Sequence, residues 1–187
     1  MVKTPLKPIT LTEFLQLPES KPASEYIDGQ IIQKPMPKAD HSGIQGELAS
    51  IINAALKPSK TGRAFPELRC TFANRSIIPD VAVLPWANIP RDEAGKLSGE
   101  LFTTPDWMIE IVSSGQNQTK VVEKILHALG HGTQMGWLID PIEECVFVYT
   151  SDSKVQLYQQ AEQQIPVPDF ARALELTVGT LVGWLYE

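Results

Sequence analysis

The sequence predicts an α/β (α+β) domain in which a central mixed β-sheet is flanked by helices and preceded by an N-terminal hairpin. Three observations point to it. A turn signal, Asp28-Gly29, separates two short β-forming stretches. Ile44, Leu48, Ile51, Ile52, Ala55 and Leu56 recur with the period of one helical face. The stretches IIPDVAVL and WMIEIV are apolar enough to be largely buried strands. So few helices have to sit on the faces of one mixed sheet.

The elements follow in order. Pro5, Pro8, Pro18 and Pro22 make residues 1–24 an irregular arm around a short helix from about Leu11 to Leu17, with Thr10 or Thr12 as N-cap. EYIDGQIIQ is the hairpin, and the helix starting near His41 is stopped by Pro58. Strands are expected at Gly62 to Phe65, Arg69 to Phe72 and 77–84, and a loop rich in Pro, Asp, Gly and Lys then runs to Pro105. Such a long loop in a compact domain is usually functional or mobile. WMIEIV at 107–112 is the next strand, and Ser113 or Ser114 turns the chain into a helix from Gln118 to Leu129. That helix buries Val121, Val122, Ile125, Leu126 and Leu129, and Gly130 or Gly132 ends it. GWLID, CVFVYT and KVQLYQQ are the last strands, and the apolar final twenty residues pack back on the core.

Residues 1–187 therefore form a single domain, and composition excludes several classes. With 43% hydrophobic and 20% charged residues the chain can bury a core and is not disordered. No apolar run reaches the roughly 18 to 20 residues that cross a bilayer, and the opening lacks the apolar stretch of a signal peptide, so the expected compartment is the cytoplasm. Cys70 and Cys145 have neither the number nor the spacing of a disulfide framework or a zinc site. The net charge of −6 is unevenly spread: residues 34–75 hold seven cations against three acids, whereas residues 76–187 hold six cations against fifteen acids. One face can attract phosphate on an acidic molecule, and Lys34, Lys38, Lys57, Lys60 and Arg63 are the candidate nucleic-acid contacts.

Two residues are chemically expensive. Glu110 has two apolar residues on either side, and a buried carboxylate costs several kcal/mol or more unless it is paired, protonated or metal-bound. Asp80 repeats the situation inside IIPDVAVL. On a period of two, Asp80, Ala82 and Leu84 share a face, as do Met108, Glu110 and Val112. If these strands are neighbours the carboxylates meet, and Mg²⁺ or Mn²⁺ suits such oxygen ligands. The competing readings are a Glu110 held by lysine or arginine and an Asp80 that merely starts a Pro-Asp turn. Lys124, at the margin of the second helix's apolar stripe, can point back toward the strand end; otherwise it is a flanking lysine. Glu25 and Glu47 are the candidates for an additional acid. His127 and His131 have no acidic third ligand nearby and read as solvent-facing, and His41 reads as a residue of the helix start. No phosphate loop, G-x-S-x-G or Cys/His pairing is present.

LTEFLQLP, EYIDGQII with Met36, His41, IIPDVAV, WMIEIVSS, VVEKILHALGHG and MGWLIDP together resemble the Uma-type family of putative restriction endonucleases, numerous in cyanobacteria, within the PD-(D/E)XK nuclease superfamily. The resemblance implies a restriction-endonuclease-like core, divalent metal and phosphodiester hydrolysis on DNA. By position it makes Asp80 and Glu110 catalytic and metal-binding, with Mg²⁺ or Mn²⁺ as cofactor. The superfamily lysine position two after the glutamate is Val112 here, and Lys124 matches a lysine taken from the next helix, which makes it the third catalytic residue, positioning the water or neutralising the transition state. DNA is the implied partner. The alternative is a non-catalytic domain on this fold that binds nucleic acid or protein. A homodimer is expected if the apolar C-terminal segment covers a second copy.

Overall fold

The computed structural model describes residues 9–113 and 115–186. Residues 1–8 of the predicted arm, with Pro5 and Pro8, and Ser114 of the predicted turn lie outside them. Helix α1 spans Leu11–Leu15, with Thr10 and Glu13 capping each other reciprocally. It stops short of Leu17, since the residue before Pro18 is disfavoured in the helical region. Strands β1 (Ser24–Ile27) and β2 (Gln30–Gln33) pair antiparallel, and Asp28 and Gly29 both take positive φ, as a two-residue hairpin turn of this hand requires.

Helix α2 (Ala39–Leu56) buries His41, Ile44, Leu48, Ile52 and Leu56 along one stripe. Strands β3 (Gly62–Pro66), β4 (Cys70–Phe72), β5 (Arg75–Ile77) and β6 (Val81–Pro85) follow. The predicted single strand over 77–84 is in fact two. Pro79 lacks the N–H that would continue a ladder, and the chain leaves one sheet after Ile77 and enters another at Val81. Asp80 stands at that junction.

Two sheets result, rather than the one expected. The smaller has the order β2-β1-β5-β4; the larger, central one adds β7 (Trp107–Ile111), β8 (Met135–Asp140), β9 (Cys145–Thr150) and β10 (Val155–Tyr158), in the order β10-β9-β8-β7-β6-β3. The larger is mixed. Strand β7 pairs antiparallel with β6 and parallel with β8. The crossover between β7 and β8 is helix α3, Gln118–Leu129, with Asn117 as its N-cap. Strands β9 and β10 complete the sheet.

Alternation sorts the core. Val81, Val83, Trp107, Ile109, Ile111 and Trp137 pack with α2 and the C-terminal segment; Ala82, Leu84, Met108, Val112 and Leu138 pack with α3 and the small sheet. Glu110 shares this second face by its place in β7. Leu126, expected inside, is 53% exposed, because α3 turns Val121, Ile125 and Ala128 to the sheet. The C-terminal segment ends in α4 (Val178–Gly183) and buries Leu174, Leu176, Val178 and Leu181 against its own chain. The apolar residues that suggested a covered partner surface are thus used within the monomer. No helix of the described residues is long and apolar enough to cross a membrane.

Candidate active site

The site is built where the two sheets part. Val81 opposes Ile109 and Ala82 opposes Met108, so the same register continued by one residue sets Asp80 against Glu110. Both are buried, each 2% exposed. Asp80 Oδ2 accepts from the Ile111 backbone N–H at 2.7 Å and lies 3.1 Å from His41 Nε2, while Oδ1 accepts from Lys34 Nζ at 2.8 Å. Burial alone would raise this carboxyl. The His41 hydrogen bond and the Lys34 charge outweigh it, and Asp80 is held well below its ordinary value.

Glu110 is less well provided for. Lys124 Nζ lies 2.9 Å from its Oε1, without the alignment of a hydrogen bond. Burial dominates and pushes the carboxyl up to about 7, against the pull of Lys124. The same Lys124 ammonium donates to Glu25 Oε1 at 3.2 Å, and Glu25 Oε1 also accepts from the Ile78 N–H at 2.9 Å. Burial works against the charge of Lys124, but Glu110 and Glu25 more than compensate and its pKa is raised. Lys34 closes the other end by donating to Glu67 Oε1 and to the Ile78 carbonyl, both at 2.9 Å. Four carboxylates and two lysines thus form two short chains, Glu67–Lys34–Asp80 and Glu25–Lys124–Glu110, linked through the Ile78 backbone.

A cleft of about 180 Å³ opens on these contacts, with Asp80, Glu110, His41, Lys34, Gln45 and Gln116 among its walls. Glu25 and Lys124 face instead a neighbouring cavity of about 400 Å³, which shares Lys34, Pro35 and Gln116 with the cleft.

The donor set suits a divalent ion. A carboxylate offers about four lone-pair sites; Asp80 receives three donors, and Glu110 Oε1 accepts no hydrogen bond. Two buried carboxylates side by side, with acceptor capacity to spare, fit a hard cation that keeps several waters. Among the described residues no three His, Cys, Asp or Glu side chains form a ready-made metal cage, so Asp80 and Glu110 would be its protein ligands.

The structure therefore brings Asp80, Glu110, Lys124 and Glu25 together and leaves Glu47 out: Glu47 is exposed on α2. The basic candidates separate. Lys34 is engaged inside the site, and Lys38 stands at the N-cap of α2 near it. Lys57, Lys60 and Arg63 follow the other end of α2, about 24 Å from His41 along the helix axis, with the Arg63 guanidinium over the Phe65 ring at 5.0 Å. The positively charged segment is not one patch.

A model of the Uma2 family, described as "Putative restriction endonuclease", matches residues 11–179. The chain belongs to the Uma2 family. A crystal structure described as a putative nuclease belonging to DUF820, from Anabaena variabilis ATCC 29413, is 53% identical, covers 95% of this chain and 99% of that one, and superimposes with a TM-score of 0.93. No functionally curated protein matches the chain.

In this Uma2 chain the participants that sequence reasoning missed are His41, Gln45, Glu67 and the inward role of Lys34. Gln45 Nε2 donates to the Asp80 carbonyl at 2.8 Å and to Glu67 Oε1 at 3.2 Å. One signal was available for two of them: His41 lies three residues before Ile44 and Gln45 three before Leu48, which puts both beside the buried stripe of α2. His127 is half-buried, its ring stacked on Phe72 at 5.3 Å, rather than solvent-facing.

Proposed function

We propose that this Uma2 chain is a divalent-metal-dependent endonuclease that hydrolyses phosphodiester bonds of DNA, working in the cytoplasm. The observation that carries the proposal is the buried Asp80–Glu110 pair opposed across β6 and β7 at the floor of an open cleft. Lys34 and Lys124 already offset part of the cost of burying these acids, so what sets the pair apart from a purely structural one is that both acids also line an open cleft.

Asp80 and Glu110 would hold Mg²⁺ or Mn²⁺, which when bound lowers the pKa of water and places positive charge at the phosphate. The remaining roles belong to the chain itself. Ile111 N–H and His41 fix the Asp80 carboxylate, so its lone pairs point where the ligand must sit. Lys124 holds Glu110 from the side away from the cleft. It is not among the residues lining the cleft, so it acts on the phosphate through Glu110 rather than by contact.

A second reading has its own support. Val112 stands where the superfamily lysine is expected, and Asp80 is already engaged by Lys34 and His41; both features suit a non-catalytic binding domain on this fold. Plasmid, linear and single-stranded DNA incubated with purified protein and Mg²⁺ or Mn²⁺ separate the two. The nuclease is expected to cut, and Asp80→Ala and Glu110→Ala are expected not to. DNA binding without metal, retained in Asp80→Ala and never followed by cleavage, supports the binding domain.

A further inference from the structure

Two lysines, Lys21 and Lys34, line the cleft, and Lys34 is the one bonded to Asp80, in surroundings that are those of a bound cation. Its Nζ donates to three oxygens, Asp80 Oδ1 at 2.8 Å, Glu67 Oε1 at 2.9 Å and the Ile78 carbonyl at 2.9 Å. Those three bonds use its full donor set. We propose that Lys34 is a tethered cation that occupies the metal position on Asp80 until a divalent ion enters, and that its displaced amine then contacts the scissile phosphate.

Four features of the site support this exchange. The first is mobility among the three donors on Asp80. The Ile111 N–H is fixed in β7 and His41 is fixed on α2, whereas Lys34 ends a flexible four-carbon stem just beyond β2. A ligand competing for Asp80 displaces the donor that can leave.

The second is the way out. The Lys34 side chain is 12% exposed, and its partner Glu67 is 45% exposed, so the nest around the amine is open on one side. Lys34 also lines both the cleft and the neighbouring cavity, which gives the released amine room.

The third is charge. Glu25, Glu67, Asp80 and Glu110 against Lys34 and Lys124 leave an excess of two carboxylates when all are ionised. One divalent ion balances that excess without expelling either lysine from the neighbourhood.

The fourth is elimination. Lys124 is enclosed between Glu25 and Glu110, and position 112, two after the glutamate, is a valine. An amine for the phosphate then comes from the lysines that line the cleft, Lys21 and Lys34, and of these Lys34 is the one already beside Asp80.

The phosphate half of this inference rests on the nuclease reading; the exchange half does not. The first measurement therefore uses wild-type protein and no DNA. Lysine acetylation by a trace amine-reactive reagent is followed by mass spectrometry while Mg²⁺ is titrated, with Lys57 and Lys60 as internal references. Lys34 labelling is expected to rise about tenfold, the equivalent of losing one charge-assisted hydrogen bond, while the references stay constant. An unchanged or slower Lys34 rate overturns the exchange. Calorimetry with Mn²⁺ is the second measurement. Lys34→Gln is expected to bind Mn²⁺ more tightly than wild type, and weaker binding by a folded Lys34→Gln overturns the competition. Cleavage completes the test. Lys34→Gln at saturating metal is expected to lose cleavage, with partial rescue in Lys34→Arg; full cleavage by Lys34→Gln removes the phosphate contact. If wild type releases Lys34 with metal and cuts nothing, the nuclease reading fails while the exchange stands.

Discussion

Asp80 and Glu110 oppose each other across the β6–β7 pair, yet the same burial has opposite outcomes for them. Asp80 receives three donors and is held ionised. Glu110 has the charge of Lys124 beside it and no hydrogen bond on Oε1, and burial carries it up to about 7. In the proposed metal site, one acid is therefore ready for a cation and the other becomes ready as the pH rises.

That asymmetry predicts how metal affinity depends on pH. A carboxylate must be deprotonated to ligate, so an ion binding below the Glu110 pKa releases a proton. Affinity for Mn²⁺ is expected to climb with pH up to about 7 and then level off. Calorimetry in buffers of different ionisation enthalpy reads the released proton directly. Glu110→Gln is expected to remove the pH dependence together with most of the affinity. A flat profile in wild type contradicts the role given to Glu110.

Stability without metal carries the complementary sign. A carboxyl raised from 4.5 to about 7 in the folded state stabilises it fully below 4.5, and that contribution is lost as pH rises through about 7. Glutamine imitates the protonated acid at every pH. The Tm of Glu110→Gln relative to wild type is therefore expected to rise between about pH 4.5 and 7 and to stay constant above. Thermal melts in EDTA across that window check it, and a falling difference contradicts it.

Lys124 holds two buried acids at once, which makes it the costliest side chain of the site to remove. Lys124→Met leaves Glu25 and Glu110 buried beside an apolar group, and breaking a buried pair in this way costs about 3–5 kcal/mol. The Glu25→Gln/Lys124→Met double variant is expected to recover part of the loss, because one of the stranded charges is gone. Urea denaturation of the single and double variants gives the coupling. Additive losses would mean that Lys124 does not support Glu25.

The contrast between these residues explains what the sequence could show. Asp80 and Glu110 are legible because each is a charge inside an apolar run, and strand alternation alone places them on matching faces. Helix α3 is legible to its ends through periodicity and its glycine stop. Lys34 and His41 are not, because they come from the end of a hairpin and the start of a helix and meet Asp80 only after the two sheets have assembled around Pro79. The split of 77–84 was hidden by the same residue: an apolar run reads as one strand although its proline cannot hydrogen-bond into a ladder. Glu47 looked eligible because the margin of an apolar stripe is ambiguous by about one residue's rotation, and the helix turned it to solvent.

Two glycines test whether the packing under the site matters as much as its charges. Gly136 of β8 lies directly beneath α3, and a Cβ there would sit 2.4 Å from Ile125 Cγ2, closer than any real contact. Gly136→Ala is expected to destabilise by about 1–3 kcal/mol. It should also push α3 away from the sheet, loosening Lys124 from Glu110 and weakening Mn²⁺ binding. Gly43, on the outer face of α2, has nothing within 4 Å of the same position. Gly43→Ala is expected to stabilise by about 0.5–1 kcal/mol through the helix backbone alone and to leave Mn²⁺ binding unchanged. Parallel denaturation and calorimetry separate the two effects. Equal behaviour of the two variants would mean that α3 does not transmit its position to the carboxylates, and that Lys124 is held from the site side only.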